Sequence, residues 1–190
     1  SRTADTLFWL GRYVERADNT ARIIDAASRL ATVPVAYAGR TTEWESALAG
    51  AGALRSFTAS DGVPDRDAVI DYLAFSPANP SSIRSCLDTA RNNARSVRTA
   101  LTAEMWEALN GAWIELKRFD GAKMDGQTLN TFLSSVKEAC LRFDGSAYRT
   151  MLRNDVYYFL RLGFYLERAD NTARILDVKY HVLLQIGRAS

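Results

Sequence analysis

Residues 15–23 and residues 167–175 carry the same nine letters, Glu-Arg-Ala-Asp-Asn-Thr-Ala-Arg-Ile. The match spreads outward at a constant offset of 152 positions: Gly11 with Gly163, Tyr13 with Tyr165, Val14 with Leu166, Ile24 with Leu176 and Asp25 with Asp177. A long internal repeat constrains architecture first, because each copy must find an equivalent local environment. At about 100° per residue, Glu15, Asn19 and Arg22 share one helical face, with Asp18 and Gly11 beside them. Leu10, Tyr13, Val14, Ala17, Ala21 and Ile24 cover the opposite side, so the segment is an amphipathic helix. Between the copies the apolar side drifts conservatively while the charged side is identical, which marks the Glu-Arg face as specific.

The rest of the chain repeats the helical signal. Ser1 or Thr3 can cap a helix from Ala4 to Leu30, and Val33-Pro34 and Gly39 break it. Thr41 or Thr42 opens a segment with Trp44, Ala47, Leu48, Ala51 and Leu54 on one side. A turn at Asp61-Gly62-Val63-Pro64 precedes a short helix, Asp65 to Phe75, with Val69, Ile70, Tyr72 and Leu73 inward. Ser81 or Ser82 caps a long segment bent near Thr99–Thr102 and ending at Phe119. After a loop at Asp120-Gly121 and Asp125-Gly126, Thr128 to Phe143 is helical, with Leu129, Phe132, Leu133, Val136, Ala139 and Cys140 inward. Asp144-Gly145 reads as a turn into a short piece around Tyr148 and Met151. A helix from about Asn154 to Ile186 carries the second copy. No strand hairpin or βαβ pattern occurs. The expected class is all-α, a helical bundle with two long helices bearing the repeat.

Composition narrows the function classes. Apolar residues make up 47% of 190 residues, enough for a proper core, and a net charge of +2 argues against nucleic acid or an anionic membrane as partner. No run of 18 apolar residues marks a membrane span. Cys86 and Cys140 stand in no metal or redox spacing and read as reduced core residues of a cytoplasmic protein. Nucleotide-binding glycine loops are missing, and the single histidine, His181, reads as a helix-surface or interface residue without a matching nucleophile. Trp9, Trp44, Trp106 and Trp113 fall at helical spacing and read as core.

Several of these stretches together resemble the bacterial Alpha-E domain, a helical family named for its Glu-Arg motif. They are Leu7 to Arg16, Asn79-Pro80-Ser81-Ser82-Ile83, Glu104 to Asn110, and Phe159 to Leu184. The resemblance implies a protein of tandem units, about twice the repeat offset. On it, residues 1–152 are a first unit and residues 153–190 the long opening helix of a second unit cut short, packed on the first; the alternative is a short variant in which that helix completes a single bundle. It also implies a setting, a predicted peptide synthesis or modification system. The expected partners there are an ATP-grasp-type ligase, a transglutaminase-like protein and a proteasome-like peptidase. It implies no activity or cofactor for the Alpha-E domain itself.

Three chemistries are open to the duplicated motif. Glu15, Arg16, Asn19 and Arg22 can meet Glu167, Arg168, Asn171 and Arg174 in a buried, mutually paired seam. The same arginines can instead line a pocket that grips the carboxylates or phosphates of a peptide substrate, since the guanidinium fork suits bidentate contacts. Glu15, Asp18, Glu167 and Asp170 could bridge metals, but the Glu-x-x-His partners of helical di-metal sites are missing and the arginines oppose a cation. A weaker echo, Ala90 to Arg95, suggests that a third helix offers Asn92 and Arg95 to the same region. The stripe Arg91, Arg95 and Arg98 reads as a solvated face. The favoured expectation is a non-catalytic interaction module, with possible homo-oligomerisation. The alternative is an enzyme or enzyme half with an Arg/Glu-lined site. A closed seam with Glu15 on Arg168 or Arg174 would exclude the pocket.

Overall fold

The computed structural model describes the backbone of residues 1–32, 42–60 and 64–187, and the side chains of those stretches other than 58–60 and 181–187. The sequence-derived breaks at Val33-Pro34, Gly39 and Asp61-Gly62-Val63 lie outside the described residues, as does the side chain of His181. Within them there are eight α-helices and no strand: α1 (Arg2–Leu30), α2 (Glu43–Gly50), α3 (Leu54–Ser60), α4 (Arg66–Ala74), α5 (Ile83–Ser96), α6 (Ala103–Lys117), α7 (Gly126–Thr150) and α8 (Asp155–Gly187). None of the described helices is long and apolar enough to cross a membrane.

Short polar side chains set the starts. Ser1 accepts from the amide of Ala4, Asp65 from Ala68 and Ser82 from Ser85, each satisfying an otherwise orphaned N–H. Thr42 and Glu45 form a reciprocal capping box on α2. The bend expected near Thr99–Thr102 is a 3₁₀ turn, Arg98–Ala100, between α5 and α6. Two boundaries differ from the pattern-based expectation. Asp125 caps α7 three residues earlier than Thr128, accepting from the Thr128 amide at 2.8 Å. Asp144-Gly145 is not a turn, because α7 continues through it to Thr150. One mid-helix glycine costs about 1 kcal/mol. Burial of Phe143 and Ala147 on either side of it outweighs that.

The core is organised around α1, which packs on α8, α5 and α7 and more lightly on α2 and α4. Leu10, Val14, Ala17, Ala21 and Ile24 have no exposure at all. They meet the heptad-spaced inner face of α5, Ile83, Leu87, Ala90 and Ala94, and that of α7, Leu133, Val136, Cys140 and Phe143. The other face of α1 lies on α8. There, a Cβ placed on Gly11 would run into the Leu160 carbonyl oxygen and stand 3.1 Å from the Phe164 nitrogen. A Cβ on Gly163 would run into the Phe8 carbonyl oxygen and stand 3.1 Å from the Arg12 nitrogen. The two backbones therefore touch at two reciprocal points. Residue numbers rise together across this contact, so α1 and α8 run parallel, related by an approximate two-fold that exchanges Gly11 with Gly163. Parallel neighbours need a long crossover, and α2 to α7 supply it.

Gly11→Ala and Gly163→Ala should each destabilise the fold by about 2–3 kcal/mol, although alanine is the better helix former, because backbone atoms have no rotamer by which to yield. Urea denaturation of each variant against wild type measures this. A neutral or stabilising result would show that the helices part without loss.

Candidate functional site

The glycine contact fixes what the next turn can do. With the backbones this close, the long side chains that follow on both helices must cross the seam. Arg16 reaches Glu167 with two donors, Nε to Oε1 at 2.7 Å and a terminal nitrogen to Oε2 at 3.0 Å. Arg168 reaches Glu15 in the same way, at 2.8 Å and 2.8 Å. The duplicated Glu-Arg dipeptides are thus exchanged across the approximate two-fold, each glutamate held by the other copy's arginine. Such bidentate, charge-assisted pairs are stronger and more directional than lone ammonium contacts.

The exchange is not symmetric. Arg12 adds a third donor to Glu167, Nε to Oε2 at 2.5 Å. Its counterpart at the repeat offset is Phe164, buried in the core, so Glu15 has one arginine where Glu167 has two. The Glu167 side chain is 2% exposed, against 20% and 21% for Arg12 and Arg16. Burial disfavours the charge of Glu167, but the hydrogen bonds and charges of Arg16 and then Arg12 outweigh it and hold the carboxyl below its ordinary value. Burial likewise opposes the charge on Arg16, and Glu167 reverses the balance, raising its pKa. Arg168 is raised chiefly by its hydrogen bond to Glu15. Arg12 lies against the Phe8 and Trp9 rings and Arg16 over Tyr13, which shields these guanidinium groups from water. Arg16 also donates to the Ser81 hydroxyl at 3.3 Å, tying the seam to the loop that opens α5. In that loop Asn79 donates to the Tyr72 carbonyl and accepts from the Ser81 amide.

The other motif residues do not join the exchange. Arg22 turns back to Asp18 and Arg174 to Asp170, both i,i+4 pairs within one helix. The Arg174 guanidinium lies over Gly52, whose φ of +68° suits glycine and whose missing side chain leaves the room. Asn171 is buried, with its amide nitrogen unpartnered among the described residues, and Asn19 is half-buried. On α5, Asn92 is exposed and donates to Asp88, and Arg95 is exposed, so neither meets the motif among the described residues. Arg91 and Arg98 of the expected solvated stripe instead stack on Trp106, and Arg91 donates to Asn110. Of the four tryptophans read as core, only Trp44 is buried. Trp106 and Trp113 are half-buried under cationic side chains and Trp9 is exposed. Among the described residues no group of three or more His, Cys, Asp or Glu side chains is arranged to hold a metal ion.

Cys86 and Cys140 are unbridged and buried. Desolvation pushes the Cys86 thiol up to about 12 and the Cys140 thiol well above its usual value, so both are poor nucleophiles at neutral pH. Beside the Glu15–Arg168 pair a cavity of about 90 Å³ is lined by Asp18, Arg22, Cys140, Asp144 and Phe164. Asp144, in that lining, is ion-paired with Arg161. Neither Arg12 and Ser81, which join the seam, nor the Arg161–Asp144 pair beside it was legible in the sequence. Arg12 and Arg161 face non-equivalent letters, Phe164 and Trp9, at the repeat offset, so comparing the copies passes over them.

The whole chain, residues 1–190, matches the Alpha-E family model, described as a predicted alpha-helical domain with a conserved ER motif. Two curated relatives, uncharacterized protein Mb2597 of Mycobacterium bovis and uncharacterized protein MT2643 of Mycobacterium tuberculosis, are each 28% identical over 123 residues. The aligned stretch covers 57% of this chain and 14% of each relative. No solved structure matches the chain.

Removing Glu167 leaves Arg12 and Arg16 facing each other at a largely dry seam, and Glu167→Ala should cost about 3 kcal/mol. Arg168 is half exposed, and Arg168→Ala should cost only about 1 kcal/mol. Chemical denaturation of the two variants tests that order. The pH dependence follows from the lowered pKa of Glu167. Its contribution is fully present above the unfolded-state value, near 4.5, and is lost as pH falls through the folded value. Thermal melts from neutral pH to about pH 3 should show a shallower acid decline for Glu167→Gln than for wild type. Parallel curves would assign the acid sensitivity elsewhere.

Proposed function

We propose that this chain, which belongs to the Alpha-E family over residues 1–190, is a non-catalytic helical module that assembles with the proteins of a bacterial peptide synthesis or modification system. The observation that carries the reading is the closed seam. Glu15 and Glu167 are each held by bidentate pairs from Arg168 and Arg16 across the helices, so the carboxylates and most of the donors that face them are already engaged within the seam. An Arg/Glu-lined active site between the helices would need those pairs opened. The adjoining cavity of about 90 Å³ is well below the roughly 300–1,000 Å³ of small-molecule sites. The partner class, an ATP-grasp-type ligase with its transglutaminase-like and peptidase companions, comes from the family resemblance. The cytoplasm suits the unbridged thiols of Cys86 and Cys140.

A different surface suits a partner better. Between α4 and the segment that joins α6 to α7 lies an open groove of about 540 Å³. Ile70, Phe75 and Phe119 contribute apolar surface, and Arg84, Lys123 and Asp71 contribute charge of both signs. An apolar floor with a mixed rim suits an extended polypeptide segment of a partner protein. Arg84 and Asp120 form a surface pair there at 2.7 Å, about one third exposed on each side, so reversing its charge should cost little stability.

Affinity capture of the ATP-grasp partner from the same genome tests the reading. The Arg84→Glu/Lys123→Glu double variant should capture several-fold less than wild type, while folded Arg168→Ala should capture as much. A wild-type chain that captures no ligase would overturn the assignment. Capture lost with Arg168→Ala but kept in the groove variant would return the motif to the binding role.

A further inference from the structure

Charge in this fold is usually matched on the spot. Arg16, Arg84, Arg161 and Arg168 each meet a carboxylate contributed by another element. On α5 that pattern breaks. Among the described residues Arg91, Arg95 and Arg98 form no ion pair. Arg91 donates to the Asn110 amide oxygen at 3.0 Å, Arg98 reaches only the Leu101 carbonyl at 3.4 Å, and Arg95 is exposed. Spaced by four and three, they share the edge of α5 that meets α6. The Arg91 and Arg98 guanidinium groups lie 5.8 Å and 5.7 Å from the centre of the Trp106 ring. Further along the same face of α6, Lys117 lies over Trp113 at 5.5 Å.

The edge between α5 and α6 therefore carries a line of cations laid over indole rings. Four positive charges, Arg91, Arg95, Arg98 and Lys117, stand against one negative, Asp88, which accepts from Asn92. That local excess of three is larger than the +2 of the whole chain, so the rest of the protein is on balance slightly acidic. Glu104, Glu107 and Glu115 of α6 project about 100° or more away from the Trp106–Trp113 line. Stacking occupies the flat side of a guanidinium and leaves its N–H edge for an acceptor, and a ring-held side chain loses less freedom on binding one. The face also sits away from α8. Helix α6 packs on α5 and α7, whereas α8 packs on α1 and α2. Thr102 meets Thr150 at the close of α7, so Arg98 stands at the end of the bundle where α8 begins, not where it leaves.

We propose that this face binds an acidic segment of a partner protein, whose carboxylates are taken by the N–H edges of Arg91, Arg95 and Arg98. Residues 91–98 span about 10 Å along the helix axis, the reach of about two helical turns or three extended residues in the bound segment. Bidentate carboxylate contacts are what an ordered guanidinium edge suits best. A nucleic acid fits less well, because the rings are overlaid by cations instead of lying open for base stacking, and one short stripe is no groove for tracking a backbone. None of these residues lines the groove between α4 and the segment joining α6 to α7, so the two docking readings stand or fall separately.

Fluorescence anisotropy of a fluorescein-labelled octaglutamate peptide titrated with the protein tests this. Binding should be present at about 50 mM salt and several-fold weaker at about 300 mM. Arg95→Glu should weaken it about tenfold or more and leave the circular-dichroism melt nearly unchanged, because that side chain is exposed. Lys179→Glu makes the same change of charge on α8 and should leave the affinity within about twofold. Trp106→Leu keeps every cation but removes the ring that holds two of them. It should weaken binding several-fold, and Trp106→Phe should restore most of the loss. A wild-type chain that does not bind, or equal losses from Arg95→Glu and Lys179→Glu, would overturn the proposal. An oligothymidylate of the same charge that binds the wild type more tightly, and loses that binding with Arg95→Glu, would give the face to nucleic acid and overturn the peptide assignment.

Discussion

The close parallel contact of α1 and α8 is the constraint on which the rest depends. Two facing glycines bring the backbones together, and only that proximity lets guanidinium groups reach carboxylates on the opposite helix with both donors engaged. Reversing the order of cause is instructive. Charged pairs alone would not draw the helices in, since desolvating them costs several kcal/mol per ion before any attraction is counted. Backbone packing sets the distance, and the ion pairs then fix axial register and prevent one helix from sliding by a turn. Registry is the best-attested use of buried polar pairs, and here the register aligns every other contact of α1.

Around that register the described residues are arranged asymmetrically. The seam carries an approximate two-fold, while the crossover helices pack mainly on α1, with α2 also touching α8. Everything that packs on α1, from the alanine-rich stripe of α5 to Phe143 of α7, uses the side that the seam leaves available. The departures from symmetry sit where the two sides differ. Arg12, against partly exposed aromatic rings, has a buried Phe164 as its counterpart. Trp9 at the rim has Arg161, bound to Asp144 of α7, as its counterpart.

Much of this was legible from the letters, for identifiable reasons. Helix class, the inward set of α4 and the Thr42 cap follow from periodicity and local chemistry that need no tertiary context. The mutual seam was open as one of three chemistries for Glu15, Arg16, Glu167 and Arg168, because a repeat says that two faces are equivalent without saying that they meet. Periodicity tells which residues share a face but not what the face touches, so the exposure of Leu162 and Leu166 on α8 could not be read. Asp144-Gly145 misled for a related reason. A dipeptide that favours turns is overruled when both neighbouring turns are buried, and Asp144 is used by Arg161 instead. The tryptophans show the opposite override, where stacking with arginine or lysine keeps large rings near the surface.

The sequence separation across the seam also has a consequence in time. Arg16 and Glu167 are 151 positions apart, and Glu15 and Arg168 are 153 apart. At ordinary translation rates of roughly 5–20 residues per second, α1 exists on the order of ten seconds before its parallel partner is made. During that interval the charged edge of α1 can be solvated and its apolar edge can already nucleate on α5. The docking of α8 onto α1 then waits until the crossover helices between them have been made, a closure of high contact order. The Glu-Arg dipeptide is in this sense a late latch, written on both long helices and engaged only when the second copy arrives.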